Sequence, residues 1–172
     1  MSIRIASGLP ERIIQVLKDF LPAELDLIDA EEWGEATPDV AVADYHPWDR
    51  PLITKFPAIT VAVLRARPLE THPQPFGSEV HWSIDVDVSA HFSVTQDDTW
   101  QRMQVHCFRY GAGLFRVLCI QKVLLETSGD PNLWAHDVRC RDLRFGPETA
   151  QAGGTVTRTV TLGIEVTKIE TR

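Results

Sequence analysis

Histidine and aspartate together form an alphabet for metal binding and proton transfer, and this chain sets His81, Asp85, Asp87 and His91 at alternate-side positions of one segment. Side chains in a strand point to opposite faces with period two, so all four share one side. Extended backbone advances about 3.3 Å per residue, which separates His81 from His91 by about 33 Å and removes them from any common site. Asp85 and Asp87, about 6.6 Å apart between Cα atoms, are the one close carboxylate pair. They suit either a metal or acid–base site, or a wet sheet face or subunit contact. His106 and Cys107 are helix neighbours that point in different directions, which gives no nucleophile–base pair. Asp44-Tyr45-His46 with Trp48 and Asp49 reads as a loop of the polar and aromatic composition found at binding surfaces. Gly-x-Ser-x-Gly, a phosphate loop, Cys-x-x-Cys and His-Glu-x-x-His do not occur. No catalytic, metal or cofactor site is expected.

A second charged pattern is the row Arg102, Arg109 and Arg116, one arginine every seven residues. Seven residues are nearly two helical turns, so the three line one helix edge. That edge is either a solvated face or a row that pairs with acids of a neighbouring subunit. The acids are segregated: the first 50 residues hold four basic and eleven acidic side chains, and the other 122 hold thirteen of each. The whole net charge of −7 therefore lies in the N-terminal segment, mostly between Asp19 and Asp49. Such a chain does not hold DNA by counterion release.

The 172 residues, 44% hydrophobic, fit one domain spanning 1–172. No signal-length apolar run follows Met1-Ser2-Ile3-Arg4, and no 18-residue apolar run occurs, so a cytoplasmic product without membrane insertion is expected. Cys107, Cys119 and Cys140 read as reduced, small apolar core residues.

These side chains need elements to position them. Glu79 to Thr95 alternates without error, with Val80, Trp82, Ile84, Val86, Val88, Ala90, Phe92 and Val94 apolar and the residues between them polar. A strand of that length reaches about 50 Å, so its outer part is expected to bend, bulge or meet another copy that covers its polar side. Ser7 or Gly8 caps a helix whose apolar face is Leu9, Ile13, Leu17, Phe20 and Leu21, with Pro22 ending it. Ala23 to Lys55 reads mostly as loop, Phe56 to Leu64 as an interior strand, and Arg65 to Gly77 as a link or extended hairpin arm. Asp97 or Asp98 caps a helix with the stripe Trp100, Met103, Cys107, Tyr110 or Gly111, Leu114, Phe115 and Leu118, in which Gly111 and Gly113 mark close approach to the sheet. Gly129 to Asn132 breaks the chain. Val138 to Phe145 switches parity near Arg141-Asp142 and predicts a bulged strand, and Thr155 to Lys168 alternates again. The fold expected is α+β, a four-stranded antiparallel or mixed sheet with two helices packed on one face.

The first helix, the Phe56-Pro57-Ala58-Ile59-Thr60-Val61 strand, the long alternating strand, the helix with Arg109-Tyr110 and Leu114, and the closing Thr/Val strand together resemble the tail-terminator and tail-completion proteins of long-tailed bacteriophages. The resemblance implies a virion protein assembled in the host cytoplasm, a ring, hexameric in that family, that caps the tail tube, ends its polymerisation and joins tail to the head–neck connector. It further implies tail-tube and sheath proteins as partners, DNA passing through the lumen without specific binding, and neither enzymatic activity nor cofactor. Asp85, Asp87, Arg102, Arg109 and Arg116 are then candidates for the lumen or the oligomer interface. Another neck, tail or contractile-tube component, or a small metal- or ligand-binding enzyme, is the alternative.

Overall fold

A computed structural model describes residues 8–32, 42–48, 52–69, 79–95, 100–121, 135, 137–151 and 155–171. The elements run α1 (Leu9–Glu32), β1 (Asp44–His46), β2 (Ala58–Pro68), β3 (Glu79–Thr95), α2 (Trp100–Phe115, continued by a π turn over Arg116–Ile120), β4 (Asp137–Phe145), β5 (Thr149–Gln151) and β6 (Thr155–Thr171). The expected caps at Asp97 and Asp98 and the break at Gly129–Asn132 lie outside the described residues.

β3 and β6 pair antiparallel over their whole length, from Glu79 opposite Thr171 to Thr95 opposite Thr155. Around this ribbon the sheet order is β1-β2-β3-β6-β4, with the short β5 also on β6. The sheet is mixed because β1 runs parallel to β2. It therefore has one more main strand than the four expected. β1 lies in the stretch read as loop.

Both helices cover one face. α1 packs on β2 and α2, and α2 packs on β3, β6 and β4. Ile84, Val86, Val88, Ala90, Leu162 and Ile164 from the sheet meet Ile13, Leu17, Leu21, Met103, Tyr110 and Leu114 from the helices, all buried. The Phe92 ring meets Tyr110 edge-on at 5.1 Å and stacks on His106 at 6.2 Å.

Two element boundaries differ from expectation. α1 continues ten residues past Pro22, because Pro22 sits on the exposed face, where the carbonyl left without its helical N–H can meet water, while Leu21, Leu25 and Ile28 keep the buried stripe going. Gly8, at φ 85°, precedes the helix and its carbonyl accepts the first helical bond from the Arg12 N–H at 3.0 Å. β2 runs through Arg65 to Pro68, which had read as a link, by way of a bulge between Val63 and Arg65. The bulge expected near Arg141 is present between Cys140 and Asp142.

The two glycines of α2 face different neighbours. A Cβ on Gly111 would stand 3.2 Å from Val160 of the sheet, whereas one on Gly113 would stand 2.8 Å from Leu21 and 3.0 Å from Leu25 of α1. Only the first marks contact with the sheet; the second sets the distance between the helices. Gly113→Val overfills that contact and is expected to destabilise the fold by about 1–3 kcal/mol, read as a lower urea midpoint.

Candidate interaction surfaces

The sheet face turned away from the helices is a polar ladder whose rungs run across the strands. His91 sits between two threonines, with Nε2 2.9 Å from Thr60 Oγ1 and Nδ1 3.1 Å from Thr159 Oγ1. Ser89 and Thr161 hydroxyls are 2.8 Å apart. Ser83 donates to Glu165, and Arg67 stands 3.5 Å from the same carboxylate.

Between these rungs lie Asp85 and Asp87. Arg65 donates from Nε and Nη2 to Asp85 Oδ2 at 3.0 and 2.8 Å, and Arg141 Nη1 is 3.4 Å from Oδ1. Arg144 donates to Asp87 at 2.6 Å, with Arg141 at 3.4 Å. Arg141 and Arg144 belong to β4 and must cross β6 to reach β3. Gly163 makes the crossing open: it lies opposite both Asp87 and Asp142, and a Cβ there would fall 2.1 Å from Asp142 Oδ1 and 3.1 Å from Arg141 Nη2. The bulge at Arg141 supplies the extra residue on the other side. Arg139 joins the ladder through Asp137, its Nε 2.7 Å from Oδ2. Arg65, Arg67, Arg139, Arg141 and Arg144 thus stand among Asp85, Asp87, Asp137, Asp142 and Glu165 with no net charge.

The pair Asp85–Asp87 accordingly spends its lone pairs on arginines, and the cover expected from another copy comes from β2 and β4 of the same chain. Burial raises the Asp85 carboxyl pKa, but the hydrogen bonds and charges of Arg65 and Arg141 outweigh it and leave the value lowered.

The arginine row of α2 divides. Arg109 is wholly buried, 0% exposed, and grips the buried Asp29 of α1 with two bonds, Nε to Oδ1 at 2.6 Å and Nη2 to Oδ2 at 2.5 Å. Its Nη1 is buried with no acceptor among the described residues. Arg116 donates to Glu31 at 2.6 Å and approaches Glu24 at 4.0 Å. The side chain of Arg102 lies outside the described residues. The expected pairing with the acids of Asp19 to Asp49 therefore exists for Arg109 and Arg116, but inside one chain. Arg109 is neither a solvated residue nor available to a neighbour.

Other candidates separate too. Tyr45 lies under Lys18, whose Nζ is 5.2 Å from the ring, and His46 is buried with Nε2 3.3 Å from Asp44. Asp49 is outside the described residues. Cys107 is buried and its thiol pKa is pushed up to about 11, chiefly by burial, while Cys119 is half-buried and Cys140 exposed rather than core.

Two apolar surfaces escaped the sequence reading. At the β4 end, Phe108 of α2 is 57% exposed and its ring lies 4.9 Å from that of Phe145, with Leu143 and Cys140 exposed on the same strand. On α1, Phe20, placed on the core stripe by the sequence, is exposed instead; with Ala23, Leu27 and Ala30 it forms an outward stripe spaced by three, four and three residues. The available signal was position: Phe108 and Leu27 fall off the apolar stripe of their helices.

Removing one partner of a buried ion pair leaves an uncompensated charge, so Arg109→Met is expected to cost about 3–5 kcal/mol, and adding Asp29→Leu to recover most of it; urea denaturation of the parent, single and double variants measures both. For Asp85, a folded-state pKa below the unfolded value means stability that is present above the ordinary carboxylate value of about 3.9 and is lost as pH falls through the lowered folded value. Asp85→Asn is expected to lower the urea midpoint at neutral pH, with the gap to the parent closing at acid pH, where protonated Asp85 matches asparagine. Neither a protein-family model nor a curated protein matches this sequence.

Proposed function

We propose that this chain is a structural ring protein of a long-tailed phage virion that caps the tail tube, ends its polymerisation and joins the tail to the head–neck connector. The observation that carries the proposal is the pair of exposed apolar surfaces, one on α1, which packs over β2, the other where α2 meets β4 at the opposite end of the sheet order. Large apolar side chains clustered in the open mark association surfaces. Two different patches at opposite ends suit a heterologous contact, which closes into a ring when the rotation per subunit divides a full turn.

The polar ladder supplies the second half of the role. In such a ring it is the face offered to DNA, and Asp85 and Asp87 hold Arg141 and Arg144 in ion pairs. A surface without net charge gives phosphates no row of cations to displace counterions for, so DNA slides past it. The family resemblance of the element order supplies hexameric ring order, the tube and sheath proteins as neighbours and the virion as location.

Sedimentation and negative-stain imaging of the purified chain test the proposal, together with addition to polymerising tail-tube protein. The expected result is a closed ring of hexameric mass that seats on tube ends and halts growth. A chain that stays monomeric at high concentration in the presence of tube ends rejects it.

A further inference from the structure

We infer that Arg141 and Arg144 of β4 form a site for the phosphate backbone of a nucleic acid and that Asp87 holds this site shut, an assignment that rests on the reading of the polar ladder as the face offered to DNA. Two residues three apart on a regular strand face opposite sides of the sheet. The bulge between Cys140 and Asp142 breaks that alternation, and Arg141 and Arg144 reach the same side. Gly163, the β6 residue that separates them from β3, puts no side chain in their way. A bulge and a strand glycine both weaken a sheet, and β4 is already joined to β6 by its backbone from Asp137 to Phe145. What the two irregularities supply is a pair of guanidinium groups brought to one point.

That point is the Asp87 carboxylate. Arg144 donates from Nη2 to Oδ2 at 2.6 Å and Arg141 from Nη2 to Oδ1 at 3.4 Å, so each oxygen takes one arginine. Two guanidinium groups on two oxygens of one anion is also how arginines grip a phosphate, and Asp87 occupies the place of that ligand from within the sheet. Asp142 adds a second carboxylate, 3.3 Å from Arg144 Nε. The charges are layered: the Asp87 side chain is 16% exposed and that of Arg144 49%, so neutralising the carboxylate beneath leaves the cation facing outward. Asp85 has another task, because it ties one arginine from each flank, Arg65 of β2 and Arg141 of β4. Asp87 and Asp142, among the described residues, hold arginines of β4 alone. While they do so, an incoming phosphate has to displace a carboxylate tethered in place by the fold, which competes at a high effective concentration.

Binding of a labelled linear DNA duplex, measured by fluorescence anisotropy at low salt, tests the site. Asparagine keeps the shape of aspartate and removes its charge. Asp87→Asn/Asp142→Asn is expected to bind the duplex at least about tenfold more tightly than the parent, with a log–log salt slope steeper by about 0.9 for each arginine released. Asp19→Asn/Asp26→Asn removes the same charge from exposed positions of α1 and is expected to bind as the parent does. Adding Arg141→Gln and Arg144→Gln to the ladder variant is expected to abolish the gain. Thermal melts check folding, and Asp87→Asn alone, with a smaller gain, replaces the double variant where that one unfolds. A ladder variant that binds no better than the parent, an α1 variant that gains as much, or a gain that survives loss of both arginines overturns the inference. Sedimentation of the parent decides the ring reading separately: a monomeric parent rejects the ring, while the duplex titration still decides the site.

Discussion

The unbroken register of β3 against β6 is the constraint on which every other position depends. The strands pair along seventeen residues each, and over the central stretch from Ser83–Thr167 to His91–Thr159 apolar positions face apolar positions and polar face polar, with Gly163 opposite Asp87. A slip of one residue would turn the whole apolar set outward, so the pattern itself enforces the register. Once the ribbon is set, one face demands cover by α1 and α2, and the other must satisfy its carboxylates without them. β2 and β4 flank the ribbon and supply both: apolar side chains toward the helices, arginines toward Asp85 and Asp87.

The elements that were legible in the sequence are those whose partner is implied by period alone. β3 and β6 alternate, so their existence and faces follow; the parity switch at Arg141 announced a bulge that the backbone contains. What escaped depended on distant contacts. Pro22 stops a helix by its missing N–H, yet α1 passes it because the loss falls on the solvent side. With the helix ended there, Asp29 could not be placed. Along the continued helix it follows Ile13, Leu17, Leu21 and Leu25 at four-residue steps and so arrives on the buried face, where Arg109 meets it. β1, three residues long, has no period to read and exists by pairing with β2. Phe20 and Leu21 are adjacent and equally apolar, and only the seat of α1 on the sheet decides which one is buried.

The charge asymmetry of the chain takes a physical form in these contacts. Asp29, Glu24 and Glu31 hold α1 to α2 through Arg109 and Arg116, and the cluster Glu24–Gln121 ties the end of the π turn to the same helix. The acids left outward on α1 are therefore not the ones that hold the helices together. Structural and outward-facing carboxylates are interleaved on one helix, separated by which side of it they occupy.

The same partition sets the cost of any contact made on the sheet face. Across the polar ladder, every arginine between β2 and β4 stands beside a carboxylate of its own sheet, so a partner docking there would have to break existing pairs to make new ones, and the net gain of exchanging one ion pair for another is small. The exposed apolar flanks carry no such debt: bringing Phe20 and Leu27 or Phe108 and Phe145 out of water is favourable at about 25 cal/mol for each Å² removed. A polypeptide that neutralises its broad sheet face internally and leaves apolar side chains exposed on its helical layer has more to gain from contact at those apolar flanks than at the sheet face.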